Sequence, residues 1–261
     1  MDTTGILTKG LPKAKKSLGQ HFLKSTKVLE EIIQASNITD QDTILEIGPG
    51  QGALTDYLVA AKPKHLILIE KDRDLIPYLR EKYGELDFVE IHEGDILTSQ
   101  QIKLPEEYKV VANIPYYISS PILKYFLLHA VNVPISMTLL VQKEFAEKIT
   151  ALPPRATILS NTVQFLGLPT KIITVPKGAF SPPPKVDSAV LHIQLQKRIE
   201  GYRSLVKMME KCFQQSRKKL SNSIDKNAIN MNNTPDKGKL IQDLLQKRPE
   251  ELTIEDWKLL L

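Results

Sequence analysis

Between residues 28 and 149, short apolar runs alternate with stretches of helical periodicity, and this alternation restricts the possible fold more than any other feature. TILEIG (43–48), HLILIE (65–70), DFVEIHEGD (87–95), YKVVANIP (108–115) and ISMTLLVQ (135–142) each read as a strand. VLEEIIQASN (28–37), ALTDYLVAA (53–61), DLIPYLREKYG (74–84), ILKYFLLHA (122–130) and KEFAEKI (143–149) space their apolar residues as helices do. Strands that take turns with helices predict an α/β fold with a mainly parallel sheet. Such sheets bind ligands at the carboxyl ends of their strands, and the unusual residue clusters of this chain fall at those ends.

Beyond residue 160 the pattern changes. NTVQFLG (161–167) and TKIITVPKGAF (170–180) read as short β-like runs. SPPPKVDSAVLHIQLQ (181–196) reads as a proline-stiffened loop followed by an alternating strand. After Lys197 there is no strand signal, and YRSLVKMMEKCFQQ (202–215), GKLIQDLLQK (238–247) and TIEDWKLLL (253–261) read as helices. The expected division is a catalytic domain over 1–197 and a small helical, basic domain over 198–261.

Charge follows that division. The net charge is +5 from 35 Lys/Arg and 30 Asp/Glu. From Lys197 onward there are 14 Lys/Arg against 9 Asp/Glu, which leaves 21 of each sign before it. The first thirty residues are also locally basic. Two basic ends around a neutral middle suit a polyanionic partner, although solvated surface lysines would give the same count. The single cysteine, Cys212, excludes an internal disulfide and a cysteine-based metal cluster, and five histidines with few clustered acids suggest no metal site. No apolar run approaches membrane-spanning length, and the N-terminus lacks the apolar core of a secretory signal. These features point to a reducing cytoplasm.

EIGPGQG (46–52) follows a strand and opens a helix. Its glycines allow a tight turn and close backbone approach to a ligand. The spacing differs from the dinucleotide fingerprint, and no Lys-Ser/Thr pair provides a phosphate anchor. Glu70 ends the next strand, where a carboxylate can accept both hydroxyls of a ribose. Asp95 ends the third, where it can accept from an adenine amino group. A tight turn needs glycines in any case, and strand-end acids are common. Taken together at successive strand ends, they describe an adenosine ligand without pyrophosphate, and S-adenosylmethionine fits best.

NIPYY (113–117) ends the fourth strand. An adenine N6 is a poor nucleophile because its lone pair is delocalised into the ring. Two acceptors on its N–H bonds favour a pyramidal, reactive nitrogen. The Asn113 side-chain oxygen can be one, and the carbonyl of Ile114 or Pro115 the other, with Pro115 stiffening the backbone. Tyr116 can offer a face to a flat base. An Asx-turn stiffened by proline, with core tyrosines, would use the same residues.

At these motifs the chain resembles the ribosomal RNA adenine N6,N6-dimethyltransferases, specifically the bacterial small-subunit, kasugamycin-sensitivity type. KSLGQHFL (16–23), EIGPGQGALT, IEKD, EGDIL, NIPYYISSPIL, VQKEFAEKI, AFSPPPKVDSAV (179–190), FQQSRKKLSNSI (213–224) and RPEELTIEDWKLL match in order and spacing. The resemblance implies a seven-stranded Rossmann-like methyltransferase sheet. It also implies methylation, twice each, of two adjacent adenosines in the 3′-terminal hairpin loop of 16S rRNA. Gln20, His21, Phe22 and Leu23 would cover the cofactor, with Glu46, Gly48, Gly50, Glu70, Asp95, Ile96 and Asn113 holding it. Asn113, Pro115 and Tyr116 would hold the target amine, and Phe180 would stack on its ring. Lys13, Lys15, Lys16, Lys185, Arg217, Lys218 and Lys219 would grip rRNA phosphates, the last three from a long helix. The enzyme would act as a cytoplasmic monomer. One departure is clear: ALPPRATILSN (151–161) stands where the family usually has Tyr-Gly followed by Leu-Ser. Two relatives of similar core remain as alternatives, the large-subunit methyltransferase of macrolide resistance and a non-catalytic nucleic-acid-binding descendant.

Overall fold

The computed structural model describes residues 15, 18–98, 103–198, 200–224 and 235–260. The strands are β1 (Phe22–Leu23), β2 (Thr43–Ile47), β3 (His65–Glu70), β4 (Val89–Glu93), β5 (Lys109–Asn113), β6 (Ser136–Gln142), β7 (Gly167–Val175), β8 (Phe180–Ser181) and β9 (Ser188–Leu195). Seven of them form one sheet in the order β4-β3-β2-β5-β6-β9-β7. The pairs β4/β3, β3/β2, β2/β5 and β5/β6 are parallel. Strand order reverses between β2 and β5, so their carboxyl ends flank the crevice where such sheets bind ligands. β1 and β8 form a separate antiparallel pair, Phe22 opposite Ser181 and Leu23 opposite Phe180.

The central parallel strands β2, β3, β5 and β6 are buried nearly throughout, which explains their unbroken apolar runs, whereas the edge strand β4 is only partly covered. The connecting helices α1 (Thr26–Ser36), α2 (Ala53–Ala60) and α3 (Ile76–Tyr83) lie where periodicity placed them. The expected helix at 122–130 is more broken: a 3₁₀ turn at Tyr116–Ile118, then α4 (Ser119–Lys124), then a π-helical turn at Tyr125–His129.

Three local expectations need correction. NTVQFL is not β-like but the body of α6 (Ile158–Leu166), which follows α5 (Lys143–Ile149). Thr157 and Ser160 form a reciprocal capping box that starts it, and six of its nine residues are buried. Its polar residues Ser160, Asn161 and Thr162 are buried together with the apolar ones, so polarity does not mark a solvent face. Second, β9 does not alternate; only Gln194 on it is exposed, so side chains on both of its faces are covered. Third, Arg217–Lys219 are not helical. α7 (Tyr202–Phe213) ends before them, and they occupy the turn that leads into a short 3₁₀ segment at Leu220–Asn222.

The chain clusters into two compact units, Met1–Lys143 with Ile172–His192, and Glu144–Lys171 with Ile193–Leu261. The first has a core that includes Ile44, Leu66, Leu68, Val111, Leu140 and Val190. In the second, α6 packs against α7 and against α9 (Ile254–Lys258), around Val163, Leu205, Met209 and Trp257, all fully buried. α8 (Pro235–Leu244) adds the buried Ile241 and Leu244. No helix among the described residues is long and apolar enough to cross a membrane.

The turn into α2 depends on Gly52, whose φ is +80° and whose added Cβ would collide with the Tyr83 hydroxyl. That hydroxyl hydrogen-bonds the Gly52 carbonyl at 2.9 Å and Asp56 Oδ1 at 2.7 Å. Gly52→Ala combines left-handed strain with overpacking, and is expected to cost about 2–4 kcal/mol. A urea unfolding midpoint equal to that of the parent would refute this account.

Candidate active site

The carboxyl ends of β2, β3 and β5, together with residues 18–23, enclose a cleft in the first unit. Its walls include Gln20, His21, Phe22, Glu46, Gly48, Gly50, Glu70, Asp95, Ile96, Asn113, Pro115 and Tyr116, so the structure brings most of the expected residues together. Sequence reasoning did not single out Lys71 or Tyr117, which also line it. Lys71 stands beside the quoted acid Glu70, and Tyr117 is the second tyrosine of NIPYY, but neither position alone reveals which way a side chain turns.

Gly48 and Gly50 both take positive φ. A Cβ on Gly50 would lie 3.0 Å from the Phe22 ring, whereas one on Gly48 would enter open space. The Gly50 N–H donates to Glu70 Oε2 at 3.0 Å, and the Asp72 N–H to Glu70 Oε1 at 2.8 Å. Burial raises the Glu70 carboxyl above the ordinary range, and these two donors oppose that rise. Asp95 Oδ1 accepts from the Leu97 N–H at 3.0 Å, and Lys71 Nζ lies 2.9 Å from Asp95 Oδ2. Burial resists ionisation of Asp95, but the Leu97 donor and the Lys71 charge outweigh it and hold its carboxyl below the usual range.

Glu46 is almost completely buried and accepts from the Thr55 hydroxyl at 2.8 Å. Burial pushes its carboxyl up to about 8; the Thr55 bond opposes this and the neighbouring Glu70 charge adds to it. An unfolded chain ionises this group near 4.5, and the folded chain resists until about 8. Its contribution to stability is therefore full below the lower value and is lost as pH rises toward the upper one. Glu46→Gln should flatten the fall in urea midpoint between about pH 5 and about pH 8. An unchanged slope would mean that Glu46 ionises normally.

At the end of β5, Asn113 Nδ2 donates to the His21 carbonyl at 3.1 Å. Its Oδ1 has no hydrogen-bond partner among the described residues. The Pro115 carbonyl accepts from the Ile118 N–H at 3.1 Å, which leaves the Ile114 carbonyl as the backbone acceptor beside Asn113. Tyr116 is half-buried; its hydroxyl is 2.6 Å from Ser188 Oγ, and the His21 ring stacks on it at 6.0 Å. His21 Nδ1 donates to the Pro182 carbonyl at 2.8 Å. Two short acceptors at a strand end, with an aromatic ring beside them, can receive the two N–H bonds of a planar amine.

Phe180 is not brought to the cleft. It is 4% exposed and packs in the core of the first unit, opposite Leu23 across β1/β8, because this position of the ladder faces inward. Lys15, expected as a phosphate contact, is engaged within the protein. Its ammonium is 2.5 Å from Asp72 Oδ1 and 2.6 Å from Asp74 Oδ2, so it serves an internal clamp. Lys13 and Lys16 lie outside the described residues. Lys185 is exposed. In the second unit Arg217, Lys218 and Lys219 line a shallow depression with Asn222, Gln246 and Arg248. Arg248 was missed, since it stands alone in the sequence before a proline.

The cleft chemistry fits an adenosyl sulfonium. Glu46, Glu70 and Asp95 line it together with Lys71 and His21, and Lys71 is already paired with Asp95. Acceptors for hydroxyl and amino groups are present, and among the described residues that line it the one lysine, Lys71, is taken up by Asp95. Among the described residues no group of three or more His, Cys, Asp or Glu could hold a metal ion.

Comparison with known proteins agrees with this chemistry. The family pattern described as Ribosomal RNA adenine dimethylase matches residues 11–259. A "Ribosomal RNA small subunit methyltransferase A" of Dehalococcoides mccartyi is 38% identical over 260 residues, covering 94% of this chain and 87% of that protein. Among solved structures, a dimethyladenosine transferase from Plasmodium falciparum superposes with a TM-score of 0.77 at 28% identity, covering 92% of this chain and 96% of that one. The 23S rRNA methyltransferase ErmE superposes at 0.75 with 25% identity, covering 92% of this chain and 97% of its own. Since the matched pattern runs through both compact units and through every strand end that builds the cleft, the chain belongs to the ribosomal RNA adenine dimethylases.

Proposed function

We propose that this enzyme dimethylates N6 of two adjacent adenosines in the 3′-terminal hairpin loop of 16S rRNA, within the small ribosomal subunit. The observation that carries the reading is Asn113: its Nδ2 is tied to the His21 carbonyl, and its oxygen is left as an acceptor at the cleft. S-adenosylmethionine supplies an electrophilic methyl group on a sulfonium. Glu70 and Asp95 are read as acceptors for the ribose and adenine of that donor, with Gly48 and Gly50 permitting close approach. Gln20–Leu23, Glu46 and Ile96 form the rest of its surroundings. Asn113 Oδ1 and the Ile114 carbonyl accept from the target amine and favour a pyramidal nitrogen, whose lone pair is then available for attack. No strong base is required, because the nitrogen becomes acidic as its bond to carbon forms. Tyr116 supplies the flat apolar wall beside the base.

Residues 1–197 carry the catalytic role in this reading, and 198–261 the basic rRNA-binding role. Lys185, Arg217, Lys218 and Lys219, joined by Arg248, are read as phosphate contacts on a monomer that works in the cytoplasm. Charge-neutralising Arg217, Lys218 and Lys219 together should lower the salt slope of subunit binding by about 2–3, roughly one per phosphate contact. An unchanged slope would make these cations bystanders. SPPPKVDS and RKKLSNS, and the 38% identity to a small-subunit relative, favour the small subunit over the large.

The deciding experiment is radiolabelled methyl transfer to undermethylated small subunits, with large subunits alongside. Near four methyl groups per small subunit, mapped to adjacent dimethyladenosines, is the expected result. Label on large subunits alone would move the assignment to the resistance type, and no label on either would exclude this substrate.

A further inference from the structure

The Asn113 amide is aimed by a segment remote from its own strand. An asparagine side chain can present either its oxygen or its NH₂ group to a ligand, and only the hydrogen-bond network decides. Here the choice is made by the His21 carbonyl, which takes Nδ2. His21 belongs to residues 18–23, where regular structure is limited to the two-residue pairing of β1 with β8. That ladder begins only at Phe22, so the stretch ahead of it needs another anchor.

Asp72 is that anchor for residues 15–20, beside the His21 ring's own bond to the Pro182 carbonyl. It is 4% exposed, and its own N–H is held by Glu70 Oε1. Its Oδ2 accepts from Gln20 Nε2 at 3.0 Å, and its Oδ1 from Lys15 Nζ at 2.5 Å and the Asp74 N–H at 3.2 Å. The Gln20 amide is used at both ends, since its Oε1 accepts from the Lys15 N–H at 2.8 Å. A buried carboxylate with charge-assisted bonds to the segment is a stiffer tie than neutral contacts would give. Burial works against its ionisation, but Lys15 and Gln20 outweigh that and hold its carboxyl below the usual range, so the tie is anionic at neutral pH.

We propose that Asp72 and Gln20 form a latch that positions the His21 carbonyl and, through it, turns Asn113 Oδ1 toward the reacting amine. Both are positioning residues that act through Asn113, a role Gln20 has in addition to its place over the cofactor. The inference rests on the reading of Asn113 as the acceptor for the target amine. Without the latch the His21 carbonyl shifts, the amide samples both orientations, and the flipped form points a donor at a donor.

The test uses the full chain and the half-exposed Gln20, so folding is not at stake. Gln20→Met keeps length and removes both bonds; Asp72→Asn is the second variant. The first readout is the side-chain amide signal of Asn113 in a ¹⁵N-labelled protein, assigned by its loss in Asn113→Ser. In both latch variants it should move toward the position of a free amide. The second is a double-mutant cycle on single-turnover methyl transfer at saturating cofactor. Gln20→Met should slow transfer about ten- to hundredfold with Asn113 present. In the Asn113→Ser background it should slow transfer by less than about twofold. The dissociation constant for S-adenosylhomocysteine is measured on the same variants, which separates any loss of cofactor affinity from the loss of rate at saturation. An unmoved Asn113 signal, additive losses, or a loss of cofactor affinity that accounts for the whole effect would each overturn the latch. The amide signal is read without substrate. A parent that fails to methylate small subunits while the signal still responds to Gln20→Met would therefore sink the substrate assignment and leave the latch standing.

Discussion

Asn113→Ala should retain cofactor binding and lose methyl transfer by about 10²–10³-fold, the usual cost of removing one preorganised hydrogen-bonding group from a reacting centre. The physical reason lies in where the amide spends its two ends. Its donor end is consumed by the His21 carbonyl, so only the oxygen is available at the cleft, and that oxygen is the acceptor chemistry requires. The Ile114 carbonyl would remain and account for residual activity. The measurement is single-turnover transfer to undermethylated small subunits at saturating cofactor, with S-adenosylhomocysteine affinity determined separately. A loss of affinity as large as the loss of rate would recast Asn113 as a cofactor ligand. Full activity would remove the central element of the proposed chemistry.

Glu70→Ala is expected to have the largest effect on cofactor affinity. Its carboxylate is 5% exposed and already organises the turn by accepting the Gly50 and Asp72 N–H groups. Each oxygen keeps a further lone pair for a ribose hydroxyl. Hydrogen bonds to a charged acceptor are worth about 1.5–3 kcal/mol each, so losing two should raise the dissociation constant for S-adenosylhomocysteine by about 10²–10⁴-fold. Two buried N–H groups are also stranded, which should lower folding stability by about 2–4 kcal/mol. Calorimetric titration and urea unfolding read the two effects independently. Glu70→Gln retains one acceptor oxygen and should fall between parent and alanine variant in both. Parent-like affinity in Glu70→Ala would place the ribose elsewhere in the cleft.

The two predictions test residues that the sequence exposes to very different degrees. Glu70 was legible because an acid closing an apolar strand is costly unless it is used, and its place one strand after a glycine turn suggested the use. Asn113 was legible as a polar group at the end of a buried strand, but its orientation was not. His21 is 92 residues away in sequence, and no local pattern pairs a main-chain carbonyl with that amide. The same limit explains Lys15, read as a phosphate contact from its basic neighbourhood. Its partners in the structure, Asp72 and Asp74, lie beyond three strands and two helices in the chain. Phe180 also illustrates it: a phenylalanine beside a proline loop is equally suited to a binding face and a core, and ladder register with Leu23 put it in the core.

For the fold, the sequence alone determined what short-range physics controls. Apolar runs too short for helices, each followed by an amphipathic helix, leave little besides a parallel α/β sheet, and the glycines at 48–52 locate its binding end. Tertiary structure decided whatever depends on a neighbour distant in the chain. α6 hid its period because its polar residues Ser160, Asn161 and Thr162 are buried with the apolar ones, and β9 lost its alternation because both of its faces are covered. Periodicity records which side of an element meets solvent, so it reports the half-exposed parts of a protein well. Hydrogen-bond direction and full burial are set by partners that the local sequence does not contain.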